Sequence, residues 1–286
     1  MATKTFTDFS LRRGDADNAK RWGGKILTDT GTPVRDLQTA LAAVGVYDVA
    51  IDGDFGGQTH SAVQRFQWNL RTVKFRIVKD ALHARTPPTG AAIPFNGIAD
   101  TATAQELKTW VVDQAVTTGN LTRVNLASFP KLEDKFKTID NPSVKNGDLV
   151  IDADFVSGLQ KLDDAAAGAN VTILVNQAFR VAGAPVGGAV VKPATKSQHL
   201  IGHAIDCNIQ DGATLVTSAI FAANKQPANT RAFVNAAKAA GLRWGGDFTE
   251  RDYVHFDDFV DPNGPEFEMR YFFNQRTISK RQPIAP

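Results

Sequence analysis

Residues 197–206 have the sequence Ser-Gln-His-Leu-Ile-Gly-His-Ala-Ile-Asp, which is the strongest local signal in the chain. This stretch places the imidazole of His199 seven residues before the carboxylate of Asp206. The alternation of apolar and polar residues from Ala204 onward predicts a strand for the carboxylate, and the preceding residues predict a loop for the imidazole. Gly202 and Ala204 are small enough to let the backbone fold close to a metal ion. The stretch therefore predicts two metal ligands at the start of a strand.

A second imidazole follows at His255, in a predicted strand over residues 253–257. Two histidines and one aspartate form a ligand set that suits zinc and leaves the fourth position open for water. An open position is typical of a catalytic site rather than a structural one. The same ligands do not exclude other divalent ions.

Two further charged residues are candidates for roles in a catalytic zinc site. Asp252 lies three residues before His255, where its carboxylate is a candidate general base. Arg180 follows the β-branched run 171–175 and is a candidate for holding a substrate carboxylate or a developing oxyanion. We expect His203 to be a rim residue rather than a ligand, and Cys207 to be buried packing on the opposite face of the strand from Asp206.

The C-terminal half combines predicted helices with short predicted strands. Apolar spacing predicts helices from Phe155 through Leu162 and over residues 229–240, and β-branched or alternating runs predict strands over residues 171–175 and 204–209. Short connections between these elements favour an α+β domain with a small, largely antiparallel sheet.

The N-terminal half has a helical pattern instead. Leu37, Leu41 and Val44 predict one helix, and a second helix begins near Thr59 after a glycine-rich loop. A third short helix is predicted from Asp100 or Thr101 through Trp110. We therefore expect an all-α three-helix domain.

Length and composition limit the protein class. The chain has 286 residues, near the prior for two domains, with 43% hydrophobic and 22% charged residues, as in globular proteins. A net charge of +2 argues against a nucleic-acid partner, and one cysteine excludes an internal disulfide framework. No apolar run is long enough for a membrane span, and the N-terminus has no signal-peptide pattern.

These patterns divide the chain into three parts. We predict an N-terminal domain over residues 8–112, with insertions at about 15–33 and 70–96. Residues 113–147 are a linker or the leading edge of a domain, and residues 148–286 form the second domain.

Three separated motifs, together with Arg180, carry a family resemblance in the second domain. They are Ser-x-His-x-x-Gly-x-Ala-x-Asp at residues 197–206, Trp-Gly-Gly-Asp-Phe at 244–248 and Asp-Tyr-Val-His-Phe at 252–256. This set resembles the zinc peptidoglycan peptidases, which include D-Ala-D-Ala carboxypeptidases and L-alanyl-D-glutamate endopeptidases. The resemblance implies one catalytic zinc ion, held by His199, Asp206 and His255. It also implies that Asp252 is the general base, that Arg180 binds the substrate and that Ser197 lies near the substrate.

The resemblance also implies a choice of bond. Many carboxypeptidases have glutamate where Asp252 stands, and aspartate there is more like the endopeptidase branch common in phage endolysins. We therefore expect cleavage of the L-Ala-D-Glu bond of the stem peptide by an endolysin. A D-Ala-D-Ala carboxypeptidase and a secreted toxin effector with the same chemistry remain alternatives.

The first domain resembles the three-helix peptidoglycan-binding domain through its Asp-Gly-x-Phe-Gly-x-x-Thr loop at residues 52–59. We predict wall contacts for four residues of this loop: Asp52, Phe55, Gly56 and Thr59. The implied partner is bacterial peptidoglycan, and we expect a monomer without nucleic acid or membrane insertion. We also expect synthesis in the host cytoplasm without a signal peptide, then holin-type release or injection to reach the wall. A catalytically silent wall-binding protein is the non-enzyme alternative.

Overall fold

The computed structural model of the chain describes residues 5–17, 31–88, 93–134, 144–145, 147–184 and 195–286. The chain divides into two compact units, residues 1–119 and 120–286. The first unit is helical at its centre and the second is α+β, which confirms a helical domain followed by an α+β domain. Within the described residues, no helix combines the length and apolar character needed to cross a bilayer.

The first unit has its core between three helices. Apolar residues at the predicted spacing, including Leu37, Leu41, Val63, Phe66 and Leu107, are fully buried. The helices are α1 (Pro33–Ala43), α2 (Gly57–Thr72) and α3 (Thr101–Val112). The carboxylate of Asp100 caps α3, accepting a 2.8 Å hydrogen bond from the amide of Thr103.

The insertion at 70–96 adds a small sheet to this unit, so the all-α prediction was incomplete. Its strands are β1 (Phe75–Val78), β2 (Ala81–Ala84) and β3 (Ala115–Val116), in the antiparallel order β2-β1-β3. Arg85 then donates to the carbonyls of Leu70 and Val73 at 2.8 and 2.6 Å, which satisfies the C-terminal end of α2. Most of the other predicted insertion, residues 15–33, lies outside the described residues.

The second unit contains one large sheet, one small sheet and four helices among its described residues. The strands are β4 (Leu121–Asn125), β5 (Leu132–Asp134), β6 (Val144–Lys145), β7 (Asp148–Asp152), β8 (Thr172–Gln177), β9 (Ala204–Asp211), β10 (Thr214–Val216), β11 (Arg243–Trp244) and β12 (His255–Asp257). The helices are α4 (Val156–Ala169), α5 (Ser218–Ala222), α6 (Ala228–Ala239) and α7 (Pro265–Ser279).

The large sheet has the order β11-β12-β9-β8-β5, with β10 also pairing with β9. All its pairs are antiparallel except β5 with β8, which confirms the predicted largely antiparallel sheet. Alternation along β9 sends Ile205, Cys207 and Ile209 into the core that α4 and α6 cover. Asp206, between them, therefore points to the opposite face of the sheet.

The segment 113–147 is not simply a linker. The division between the units falls after Gly119, and β4 and β5 both belong to the sheets of the second unit. The alternative prediction, a leading edge, describes residues 120–134 better. Residues 135–143 lie outside the described part of the chain.

A buried polar network joins α7 to β7. The carboxylate of Asp152, fully buried, accepts 2.8 Å hydrogen bonds from Arg270, Asn274 and Asn120. Arg270 is almost fully buried, and its positive charge pairs with the negative charge of Asp152. Because a buried carboxylate without partners costs several kcal/mol, this network fixes the C-terminal helix against the body of the unit.

His203 belongs to this network, so its prediction as a rim residue was wrong. Its side chain is 3% exposed, its Nδ1 lies 2.9 Å from Asp258 Oδ1, and its Nε2 lies 3.6 Å from Asp152 Oδ1. Burial lowers the pKa of His203, but Asp152 and Asp258 outweigh burial and raise it to about 9. The ring is therefore a cation between two carboxylates, with Arg270 behind one of them.

We expect this cation to make stability depend on pH. Since the pKa of His203 rises from 6.5 to about 9 on folding, its contribution is complete below pH 6.5 and is lost as the pH rises through 9. The free energy of unfolding of the wild type, minus that of His203→Gln, should be constant below pH 6.5. It should then fall between pH 6.5 and 9, by up to about 1.4 kcal/mol per pH unit. Urea unfolding of both proteins measures this difference, and a difference that stays constant to pH 9 would contradict it.

Candidate metal centre

Three side chains from two strands and a turn converge on one point. In the pairing of β9 with β12, Asp206 lies directly opposite His255. His199 comes from the 3-10 turn Gln198–Leu200, which precedes β9. His199 Nε2 lies 3.0 Å from Asp206 Oδ1 and 3.1 Å from His255 Nδ1, and His255 Nδ1 lies 3.2 Å from Asp206 Oδ1.

Two glycines make this convergence sterically feasible. Gly202 has a φ of +79°, and a Cβ there would lie 2.5 Å from the backbone nitrogen of Asp152. A Cβ on Gly245 would collide with the carbonyl oxygen of Asp252 and lie 2.9 Å from the Cβ of His255. Glycine at these two positions therefore lets the ligand-bearing turns approach their neighbours closely.

The ring nitrogens of His199 and His255 that face away from the cluster both form hydrogen bonds. His199 Nδ1 lies 2.7 Å from the carbonyl oxygen of Ala178, and His255 Nε2 lies 2.8 Å from Asp257 Oδ2. A carbonyl and a carboxylate can only accept, so each of these nitrogens carries a proton. In the neutral rings, the two inner nitrogens therefore both present lone pairs, toward each other and toward the carboxylate of Asp206.

Three converging acceptors fit a cation. Nitrogen and oxygen ligands bind zinc at about 2.0–2.2 Å, so neighbouring ligands of a tetrahedral ion are roughly 3.3–3.6 Å apart. The three observed distances are within a few tenths of an ångström of that spacing. Among the described residues, these three form the group of His, Cys, Asp and Glu side chains suited to hold a metal ion.

The charges in the cluster are strongly coupled. Burial raises the pKa of Asp206, but His199 and His255 outweigh burial and hold it well below its usual range. Burial lowers the pKa of His255, but Asp206 and Asp257 outweigh it and raise the pKa to about 9. The site thus keeps its carboxylate ionised and attracts positive charge.

Asp257 supports His255, since its Oδ2 lies 2.8 Å from His255 Nε2. It is fully buried and accepts a bidentate pair of hydrogen bonds from Arg243, at 2.7 and 2.8 Å. The guanidinium in turn lies over the rings of Phe248 and Phe259, at 5.2 and 4.1 Å from their centroids. The strand periodicity of two puts Asp257 on the same face as His255, which is the signal that identifies it.

We expect Asp257→Asn to weaken zinc binding by about 10–100-fold, the usual effect of losing an outer partner of a ligand histidine. The neutral side chain accepts the His255 proton less strongly and opposes Arg243 with its own N–H groups. Competition with a chromogenic chelator measures the affinity. Asp258→Asn, which faces His203 instead, is the matched control, and equal affinities of the two variants would contradict this role.

The charges of the cluster affect the pKa values of both Asp252 and Arg180. Burial raises the pKa of Asp252, and Asp206 raises it further, while His255 and His199 offset part of the rise. Burial lowers the pKa of Arg180, and the negative charges of Asp206 and Asp252 offset only part of this decrease. Ser197, the remaining residue predicted near the site, is half-buried and precedes the turn of His199.

The predicted wall-binding residues do not form a common surface, and for two of them the prediction was wrong. Phe55 and Thr59 are each 1% exposed, in the core of the first unit. Asp52 is exposed, but its carboxylate accepts hydrogen bonds from Gln38 and from the amide of Asp54, which shape the loop. Gly56 is exposed and immediately precedes α2. The motif therefore builds the entry to α2, and wall contacts of Asp52 and Gly56 stay a prediction.

Comparison with known families gives two matches. Residues 191–258 match a family described as D-alanyl-D-alanine carboxypeptidase, and residues 30–72 match one described as a putative peptidoglycan binding domain. A search of curated proteins found no match. The two matches follow the predicted layout, a domain similar to peptidoglycan-binding domains followed by a domain similar to the carboxypeptidases. The first match contains the three converging side chains and Asp252, whereas Arg180 and α7 lie outside it.

Proposed function

We propose that the protein is a zinc-dependent peptidase that cleaves the stem peptide of bacterial peptidoglycan. The single observation that carries this proposal is the convergence of three acceptor atoms, from His199, Asp206 and His255, within 3.2 Å of one another. The two family matches support a peptidase that acts on peptidoglycan.

In the proposed reaction, each residue of the site has a distinct task. His199, Asp206 and His255 would hold one zinc ion, which when bound polarises a carbonyl and lowers the pKa of water to about 7. The carboxylate of Asp252 accepts a proton from the attacking water and later delivers it to the leaving amine. The guanidinium of Arg180 holds a carboxylate of the substrate.

We propose the L-Ala-D-Glu bond as the target, on the strength of aspartate at position 252 and of the Trp-Gly-Gly-Asp motif at residues 244–247. The second candidate is removal of the terminal D-Ala, which the description of the matched family favours. Both reactions hydrolyse an amide close to a carboxylate, so Arg180 has the same task in each.

Mass spectrometry of digested peptidoglycan separates these reactions. Purified sacculi are incubated with the wild type, with the wild type plus a chelator, and with Asp252→Ala. L-Ala-ended glycan with a new D-Glu amine supports the endopeptidase, and loss of terminal D-Ala alone supports the carboxypeptidase. Cosedimentation with sacculi without any metal-dependent product would leave a wall-binding protein and overturn the proposed enzyme.

We further propose that residues 1–119 hold the enzyme on the wall, as in a phage endolysin. Binding to the polymer raises the local concentration of substrate without any new catalytic contact. Isolated sacculi should therefore retain the protein in a pull-down even when Asp252 is replaced by alanine.

A further inference from the structure

Within the described part of the chain, the guanidinium of Arg180 is held mainly through its own backbone. Among the described residues, none forms a hydrogen bond or an ion pair with it, although Asp206 and Asp252 contribute to its electrostatic field. Its backbone is well fixed, because its amide donates to the carbonyl of His199 at 2.9 Å. The backbone conformation of residues 178–182 therefore determines the orientation of the guanidinium.

One side chain from the C-terminal helix holds that path. Gln275 Nε2 donates to the carbonyls of Arg180 and Leu200 at 2.9 and 2.6 Å, and Gln275 Oε1 accepts from the amide of Ala182 at 2.8 Å. Both N–H groups and the oxygen of the Gln275 side chain therefore form hydrogen bonds with main-chain atoms. It links the segment that carries Arg180 to the turn that carries His199.

The helix that carries Gln275 is anchored independently of these contacts. Asn274 donates to Asp152 and to the carbonyl of Ile201, and Arg270 pairs with Asp152 and Asp154. Phe273 is 1% exposed. A change at Gln275 therefore leaves α7 in place and loosens the segment 180–182. The turn of His199 is still held by two hydrogen bonds, from Gln198 to the carbonyl of Val260 and from Asn274 to the carbonyl of Ile201.

We propose that Gln275 is a positioning residue for Arg180, acting through the backbone to aim the guanidinium at the substrate carboxylate. The proposal rests on the function proposed above and adds to it a part of the chain, α7, that lies outside both family matches. It concerns substrate binding and leaves the metal ligands untouched.

The test uses Gln275→Met, which keeps the length of the side chain and removes its hydrogen bonds. With a soluble stem peptide as substrate, we expect KM to rise about 10-fold and kcat to change less than about 3-fold, because the lost contribution is to binding. Zinc affinity should stay within about 2-fold of the wild type. Gln160→Met, an exposed glutamine on α4, is the matched control and should leave KM unchanged.

A double-mutant cycle distinguishes positioning from a general structural role. If Gln275 acts through Arg180, then Gln275→Met has no further effect on kcat/KM in an Arg180→Ala background. An equal loss in both backgrounds, or a loss in kcat alone, would overturn the proposal.

Hydrogen exchange provides a readout that does not depend on catalysis. In Gln275→Met, the amide of Ala182 loses its acceptor, so its exchange should accelerate about 10-fold or more. If the wild type cleaves no peptide, the proposed function fails, whereas exchange still reports on the link between the loops. Unchanged exchange at Ala182 would overturn the positioning role by itself.

Discussion

Replacement of His255 by alanine is expected to reduce cleavage of the stem peptide by at least about 1,000-fold. The variant leaves two of the three converging atoms, and zinc contributes several kcal/mol of transition-state stabilisation in such sites. A loss of 4 kcal/mol corresponds to about three orders of magnitude in rate. The measurement is the initial rate of amine release from sacculi at saturating zinc.

The matched control for this variant is His83→Ala, since His83 is an exposed histidine on β2 of the first unit. Its rate should equal that of the wild type. If His255→Ala kept more than about a tenth of the wild-type rate while folded, these three residues would not be the reaction centre.

Asp252→Asn is expected to lower kcat by about 100- to 10,000-fold, the range that general acid–base groups contribute. The asparagine has almost the same shape but cannot accept a proton. Zinc affinity should remain near that of the wild type, because Asp252 is not among the three converging ligands. Steady-state kinetics and chelator competition on the same preparation measure both quantities.

Asp247→Asn is the control for this change, because Asp247 is exposed in the same loop and pairs with Lys238. It should leave kcat within about 2-fold. A fully active Asp252→Asn would show that another group takes the proton, and loss of zinc from this variant would make Asp252 a ligand rather than a base.

The elements with strong local patterns were predictable from the sequence. Alternation in β9 separates Asp206 from Ile205 and Cys207, and the helical spacing of Leu37 and Leu41 marks the core face of α1. In each case the local preference agrees with the final packing, so one signal suffices.

Elements that depend on distant partners were not predictable in this way. The hairpin of β1 and β2 lies in an insertion without clear periodicity, and β5 is a three-residue strand that exists through its parallel pairing with β8. Strands this short obtain their stability from neighbours rather than from their own composition.

The candidate site shows the same division. The ligand residues stand out because histidine and aspartate are chemically distinctive at fixed spacing, and Asp257 follows from the strand period. Burial of Phe55 and His203 is a tertiary property that their neighbours in sequence do not indicate. Gln275 contacts Arg180 across 95 residues and has no motif of its own, so only the structure reveals it.

A zinc titration of metal-free protein, with amine release from sacculi as the readout, tests whether the three converging side chains hold a catalytic zinc ion. We expect no activity without metal and a rise with added zinc that saturates at one equivalent per chain, with zinc content measured on the same samples. Activity that is unchanged by removal of the metal, or a wild type that binds no zinc, would contradict a zinc peptidase.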